Sequence, residues 1–261
     1  MTVAAQAASI QRVHGVRVGF GDPAGFYVPP YAPADAAIAN ATMTPAAVAN
    51  LGPALDGVAE SLALYPAGFY ARFCRAVFLC GTLRFEGVRA GGTYGPAWII
   101  LAADPVVGPA GIHETARLGI HHEFSSLILL RFPRLEAEWA MLLPPGWRAI
   151  ETTGGALGQT AAANGHDGFL SAYAATSVEN DFNTYAETAF GDPARLLALA
   201  GRFEVVRRKA SLLLGAFVAL DTRMETAFRH LGLQELPIER PAASVIIPVP
   251  SHLPQPVLGR D

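Results

Sequence analysis

An α+β domain is the fold class that three observations predict. A helix-period segment comes first, two or three strand-like runs follow, and helical segments fill most of the rest of the chain. Strands and helices therefore segregate instead of alternating as they do in a parallel α/β sheet. Apolar residues make up 51% of the 261 positions and charged residues 16%, enough for a core of ordinary size and far from the composition of a disordered chain.

Residues 1–45 are rich in Gly, Pro and Ala, with Phe20-Gly21-Asp22-Pro23 and Pro29-Pro30, and read as an irregular N-terminal arm. A domain over 46–235 follows. It opens with a helix from about Pro45 to Leu64, where Leu51, Leu55, Val58 and Leu62 keep helical spacing and Pro66 ends the run. Gly68 to Arg75 predicts a short helix. Val77-Phe78-Leu79-Cys80, continuing into Leu83-Arg84-Phe85, predicts a strand. Trp98-Ile99-Ile100-Leu101 predicts another, placed after a Gly91-Gly92-Thr93 turn and before Asp104-Pro105. The next helix runs from about His113 or Ile120 to Leu130, and Pro133 ends it. Residues 144–168 read as loop. Ser177 is an N-cap for a helix that carries Glu179 and Asp181 in its first turn and ends near Gly191-Asp192-Pro193. One long helix or two shorter ones fill 194–231, with Gly232 as the C-cap. Residues 236–261 form a proline-rich C-terminal tail.

Composition excludes several function classes. The net charge is −3 with no Lys/Arg-rich block, so no nucleic-acid footprint is present. The most apolar helical piece, Ala210 to Leu220, is too short to span a bilayer. Residues 1–11 carry no Lys or Arg and no long apolar run, which is not a secretory signal, and a cytoplasmic location is the default expectation. A mature chain that had shed its signal would read the same way. Cys74 and Cys80 form no CxxC pair and read as buried thiols. There is no Walker loop and no G-x-S-x-G elbow, and Gly19-x-Gly21 lacks a following βαβ unit. Trp139 and Trp147 flank Pro144-Pro145 and read as core or as walls of a cleft.

The segment richest in chemistry is Ile120-His121-His122-Glu123-Phe124-Ser125-Ser126. In an HExxH helix, two histidines one turn apart grip a metal ion. The glutamate beside the first takes a proton from the metal-bound water. His122 and Glu123 match the first two positions, and Ser126 stands where the second histidine would be. His113-Glu114 is a second His-Glu pair whose fifth position is Arg117. Further on comes Gly168-Phe169-Leu170-Ser171-Ala172-Tyr173, and then Glu179-Asn180-Asp181-Phe182. Asn180, Thr184 and Glu187 share one helical face, and Asp181 and Tyr185 another. Glu187 reads as a supporting acid.

Together these blocks resemble a family of bacterial zinc metallopeptidases, including zinc metallohydrolase lipoproteins found near glycan-import systems. That family has an HHEFxH helix followed by a segment like GFVSxYAxxxxxEDFAE. More distantly the chain resembles the catalytic domain of anthrax lethal factor. The resemblance covers roughly residues 60 to 190, with Tyr65-Pro66 after a helix and a Gly-Gly-Thr turn before an edge strand. It implies a zincin-like fold, with a small mixed sheet over an active-site helix. It also implies a Zn²⁺ cofactor held by His122 and Asp181, Glu123 as general base, Tyr173 as oxyanion stabiliser, and a peptide or protein substrate. Ser126 is a poor zinc ligand, which leaves a third donor to be found among His121, His113, His166 and Glu179. His121 lies about 100° around the helix from His122.

Three readings stay open at this stage. The first is a metal-assisted hydrolase in which a strand near Trp98–Leu101 forms the upper rim of the cleft and takes an extended peptide as an added strand. The second is a pseudopeptidase that keeps the fold, has lost the metal and binds a peptide or partner. The third is a structural accessory protein that uses its proline-rich ends as contacts.

Overall fold

The computed structural model describes residues 2–22, 41–132, 134–159, 161, 163, 165–242 and 247. The chain divides after Leu127 into two compact units. Both classes of element are present, six strands in one mixed sheet and nine α-helices among the described residues, so the α+β expectation holds.

The first unit begins with a helix where an irregular arm is expected. Helix α1 (Val3–His14) starts at Thr2, whose hydroxyl accepts from the Ala5 amide at 3.3 Å. It ends at Gly15, which is left-handed at φ 74°. Ala-rich sequence favours helix, but only Ala7 and Ile10 are buried, so the apolar period that would reveal it is nearly absent. Strand β1 (Arg17–Phe20) follows and joins the sheet. The expected arm residues 23–40 lie outside the described residues. After β2 (Thr42–Pro45), helix α2 (Val48–Leu62) forms as predicted and buries Leu51, Leu55, Val58 and Leu62. The predicted helix over 68–75 is a single 3₁₀ turn, Tyr70–Arg72.

Strand β3 (Ala76–Phe85) is the spine of the sheet. Its first half pairs parallel with β1 on one side and with β6 (Trp98–Ala102) on the other. Its second half pairs antiparallel with β2 and with β4 (Val88–Arg89). Six consecutive residues from Ala76 are buried, the continuous apolar run of a strand covered on both faces. The Gly-Gly-Thr segment expected as a turn contributes to a strand, β5 (Gly92–Gly95), antiparallel to β6. The strand near Trp98–Leu101, expected as the cleft rim, is therefore internal. Among the described residues β5 is the last strand on that side. Two glycines in four positions hid it from a propensity reading.

Helix α3 (Gly108–Leu129) starts a turn earlier than expected, after Asp104 caps the 3₁₀ turn Pro105–Val107 by accepting from the Val106 amide at 3.0 Å. It crosses α2 closely at Gly57, where a Cβ would come 2.4 Å from the His113 carbonyl. Phe124 stacks on Tyr70 at 4.0 Å and meets Tyr65, Phe69 and Phe73 edge-on, fixing the orientation of the helix in an aromatic cluster.

The second unit is helical: α4 (Leu135–Ala140), α5 (Thr153–Leu157), α6 (Val178–Gly191), α7 (Pro193–Arg202), α8 (Glu204–Leu220) and α9 (Arg223–His230). Ser177 caps α6 as predicted, its hydroxyl accepting from the Asn180 amide at 2.9 Å. Asp192 caps α7 with Pro193 at its first position. The region expected to hold one or two helices holds three, because Phe203 and Asp221 take extended backbone and break it. Gly232, at φ 81°, closes α9 as expected. Phe182, Tyr185, Phe190, Leu196, Leu213, Phe217 and Phe228 form the core of this unit. Of the predicted tail, residues 243–246 and 248–261 lie outside the described residues. Among the described residues no helix is long and apolar enough to cross a membrane.

Candidate functional site

His122 and Glu123 lie in the first unit, where the fourth turn of α3 passes into the fifth. His122 is half-buried, and its carbonyl accepts from the Ser125 hydroxyl at 2.7 Å. Glu123 is 8% exposed and its carboxylate lies against β5: a Cβ on Gly92 would come 2.7 Å from Glu123 Oε1 and 2.9 Å from the Ile100 carbonyl. Gly92 is thus a clearance residue, since the absence of a side chain lets a carboxylate sit under the terminal strand. Ser126 is buried at 1% exposure.

Two of the expected third donors in this unit have other roles. His121 is fully buried and its Nδ1 is 2.8 Å from the Tyr65 hydroxyl. Burial, with the Arg117 charge adding to it, pushes its pKa down to about 3, so the ring is neutral. The Tyr65 hydroxyl is held un-ionised by the same burial. His113 turns to α2, with Nε2 3.2 Å from Glu60 Oε2. Arg117, the misfit in the second His-Glu pair, closes a bidentate bridge to Glu114 at 2.7 and 2.8 Å.

The other expected ligand, Asp181, lies in the second unit at the start of α6 and is fully buried. Its Oδ2 accepts from Lys209 Nζ at 2.6 Å and from Trp139 Nε1 at 2.7 Å. Its Oδ1 has no hydrogen-bond partner among the described residues. Lys209, fully buried on α8, also donates to the Gly168 carbonyl at 2.9 Å. Its ammonium sits 4.6 Å from the Phe169 ring centre, 5.7 Å from Tyr185 and 5.9 Å from Trp139. Desolvation raises the Asp181 pKa to about 6, even though the Lys209 charge and the two hydrogen bonds pull it down. Desolvation likewise lowers Lys209, against the pull of Asp181. Both directions say that burial of the charged forms outweighs their attraction.

Tyr173 is half-buried where a 3₁₀ turn begins, and its carbonyl accepts from the Thr176 amide at 3.0 Å and hydroxyl at 2.7 Å. His166 is exposed beside Asp167, 2.8 Å from its carboxylate. Glu179 and Glu187 are half-buried on α6. Trp139 is a core residue, packed edge-on against Phe182 and Tyr185, and not the wall of a cleft. Trp147 donates to the Ala175 carbonyl at 2.7 Å.

The donor set does not fit a zinc ion. Catalytic zinc takes three protein ligands as a rule. Among the described residues no three His, Cys, Asp or Glu side chains cluster. The one carboxylate that the family pattern offers already carries a cation, the Lys209 ammonium, on Oδ2. Lys209 is the only lysine of the sequence. It falls three residues after Val206 and four before Leu213, on the buried stripe of its helix, and that placement was the available signal.

No protein-family model matches the chain, and neither does any curated protein or solved structure.

Proposed function

We propose that the chain is a non-hydrolytic, zincin-like module that binds an extended peptide or a protein partner. The observation that carries this reading is the Lys209–Asp181 pair. Where the family pattern calls for a metal-held carboxylate, the chain puts a 2.6 Å ion pair with no exposed surface. Ser126 in the second ligand position is a separate loss in the same direction. Support for the zincin-like arrangement comes from α3 following β6, from the antiparallel terminal strand β5, and from Glu123 lying under Gly92 of that strand. A terminal strand is the place where an extended segment adds by main-chain pairing.

The test is incubation of the purified protein with a mixed peptide library, with and without added zinc, read by mass spectrometry. Peptides are expected to be retained and no new termini to appear. Zinc-dependent cleavage that disappears in Glu123→Gln would return the chain to the hydrolase reading, because that substitution removes a general base worth about 10²–10⁴ in rate. Retention of no peptide at all would refute the binding half of the proposal.

A further inference from the structure

We infer that the Lys209 ammonium is a built-in cation that clamps the strap formed by residues 165–173 onto the helices of the second unit. Two glycines shape the strap. Gly165 and Gly168 take φ of 81° and 79°, and the Gly168 amide donates back to the Gly165 carbonyl at 3.0 Å. A Cβ at Gly168 would meet Val205 at 2.9 Å and Lys209 Nζ at 3.2 Å, so only glycine gives both the turn and the close approach.

The strap is held by side chains. The Gly168 carbonyl accepts from Lys209 Nζ on α8 and from the Tyr185 hydroxyl on α6, each at 2.9 Å. The Leu170 carbonyl accepts from Arg195 on α7 at 2.7 Å. Three helices thus supply three donors to two carbonyls of one irregular segment. Only the Lys209 contact is itself anchored by a buried anion, Asp181, which Trp139 holds from α4. The ammonium joins a main-chain carbonyl, a carboxylate and aromatic faces at one point, the role that a bound metal ion fills elsewhere. Tyr173 lies at the end of the strap, so the clamp also sets where Tyr173 sits. The inference is independent of whether the chain binds a peptide.

Hydrogen exchange resolved to single amides tests it. Reporter amides are Gly168, bonded to Gly165, and Ala172, bonded to the Ala161 carbonyl at 2.8 Å. The variant is Lys209→Met with Asp181→Asn, which removes both charges and nearly conserves shape. Loss of the charged donor is expected to lower protection at these amides about 10- to 100-fold, while the amides of α6 and α8 keep theirs. Tyr185→Phe, which removes the second donor to the same carbonyl, is expected to loosen the same amides by a smaller factor. Wild-type protection at Gly168 and Ala172 in the double variant would overturn the clamp, since packing alone would then hold the strap. Equal loss of protection throughout α6 and α8 would also overturn it, by making Lys209 a general core residue.

Discussion

Removing one charge of the buried pair is expected to harm the fold far more than removing both. Lys209→Met leaves the Asp181 carboxylate buried with the Trp139 indole as its remaining side-chain donor among the described residues, and such an uncompensated charge destabilises by about 3–5 kcal/mol. Asp181→Asn leaves a buried ammonium with the Gly168 carbonyl and ring faces, and is expected to lose about 2–4 kcal/mol. The double variant keeps an amide oxygen for Trp139 and keeps Tyr185 on the Gly168 carbonyl. It is expected to fall within about 2 kcal/mol of the parent, a coupling of several kcal/mol between the two positions. Burial raises the Asp181 carboxyl to about 6 even with its partner present, the direction expected where desolvation of the ionised form outweighs the attraction of the ammonium. The pair is therefore expected to contribute specificity of arrangement more than stability. Urea titrations of the four proteins, followed by exchange at α6 and α8 amides, complete the cycle. Additive losses in the double variant would refute the reasoning.

Acid should destabilise the first unit through His121. Its folded pKa is depressed to about 3 and its unfolded value is near 6.5, so its contribution is complete above about pH 6.5 and is lost as pH falls toward 3. Between pH 7 and 4.5 this amounts to about 2–3 kcal/mol by linkage, and urea midpoints of His121→Gln should lack that slope. Gly92→Ala forces a Cβ to 2.9 Å from a main-chain carbonyl and 2.7 Å from Glu123, and should lower stability by about 1–3 kcal/mol, an effect that calorimetry detects. Ser126→His supplies the missing imidazole at a position only 1% exposed, while Asp181 stays bound to Lys209. Zinc content after dialysis should therefore rise little, and a stoichiometric gain would show that two histidines on α3 suffice.

Much of the frame was legible in the sequence because local rules wrote it. Leu51, Leu55, Val58 and Leu62 carry the helical period of α2, Ser177 and Pro193 mark helix starts, and Val77–Cys80 and Trp98–Leu101 are apolar runs of strand length. What local rules could not write is partnership. Lys209 and Asp181 are 28 residues apart, and Trp139 is 42 from Asp181. The motif placed Asp181 in a donor role, and its first turn of α6 was correctly foreseen, but which cation it would meet depended on the packing of α8. β5 was missed for a related reason. At Gly92 a side chain would collide with the carboxylate beneath it, a tertiary constraint that strand propensity does not carry, so its glycine read as a turn. Helix α1 had the caps but lacked an apolar stripe to announce it.

Whether the matched residues hold a metal is decided by calorimetric titration of zinc into metal-free protein near pH 7.5, with His122→Ala and Asp181→Asn alongside. No stoichiometric site tighter than about 10 μM is expected in the parent, because two matched donors fall short of a zinc sphere and one of them is held by an ammonium. One zinc per chain bound with submicromolar Kd, and lost in both variants, would contradict that expectation.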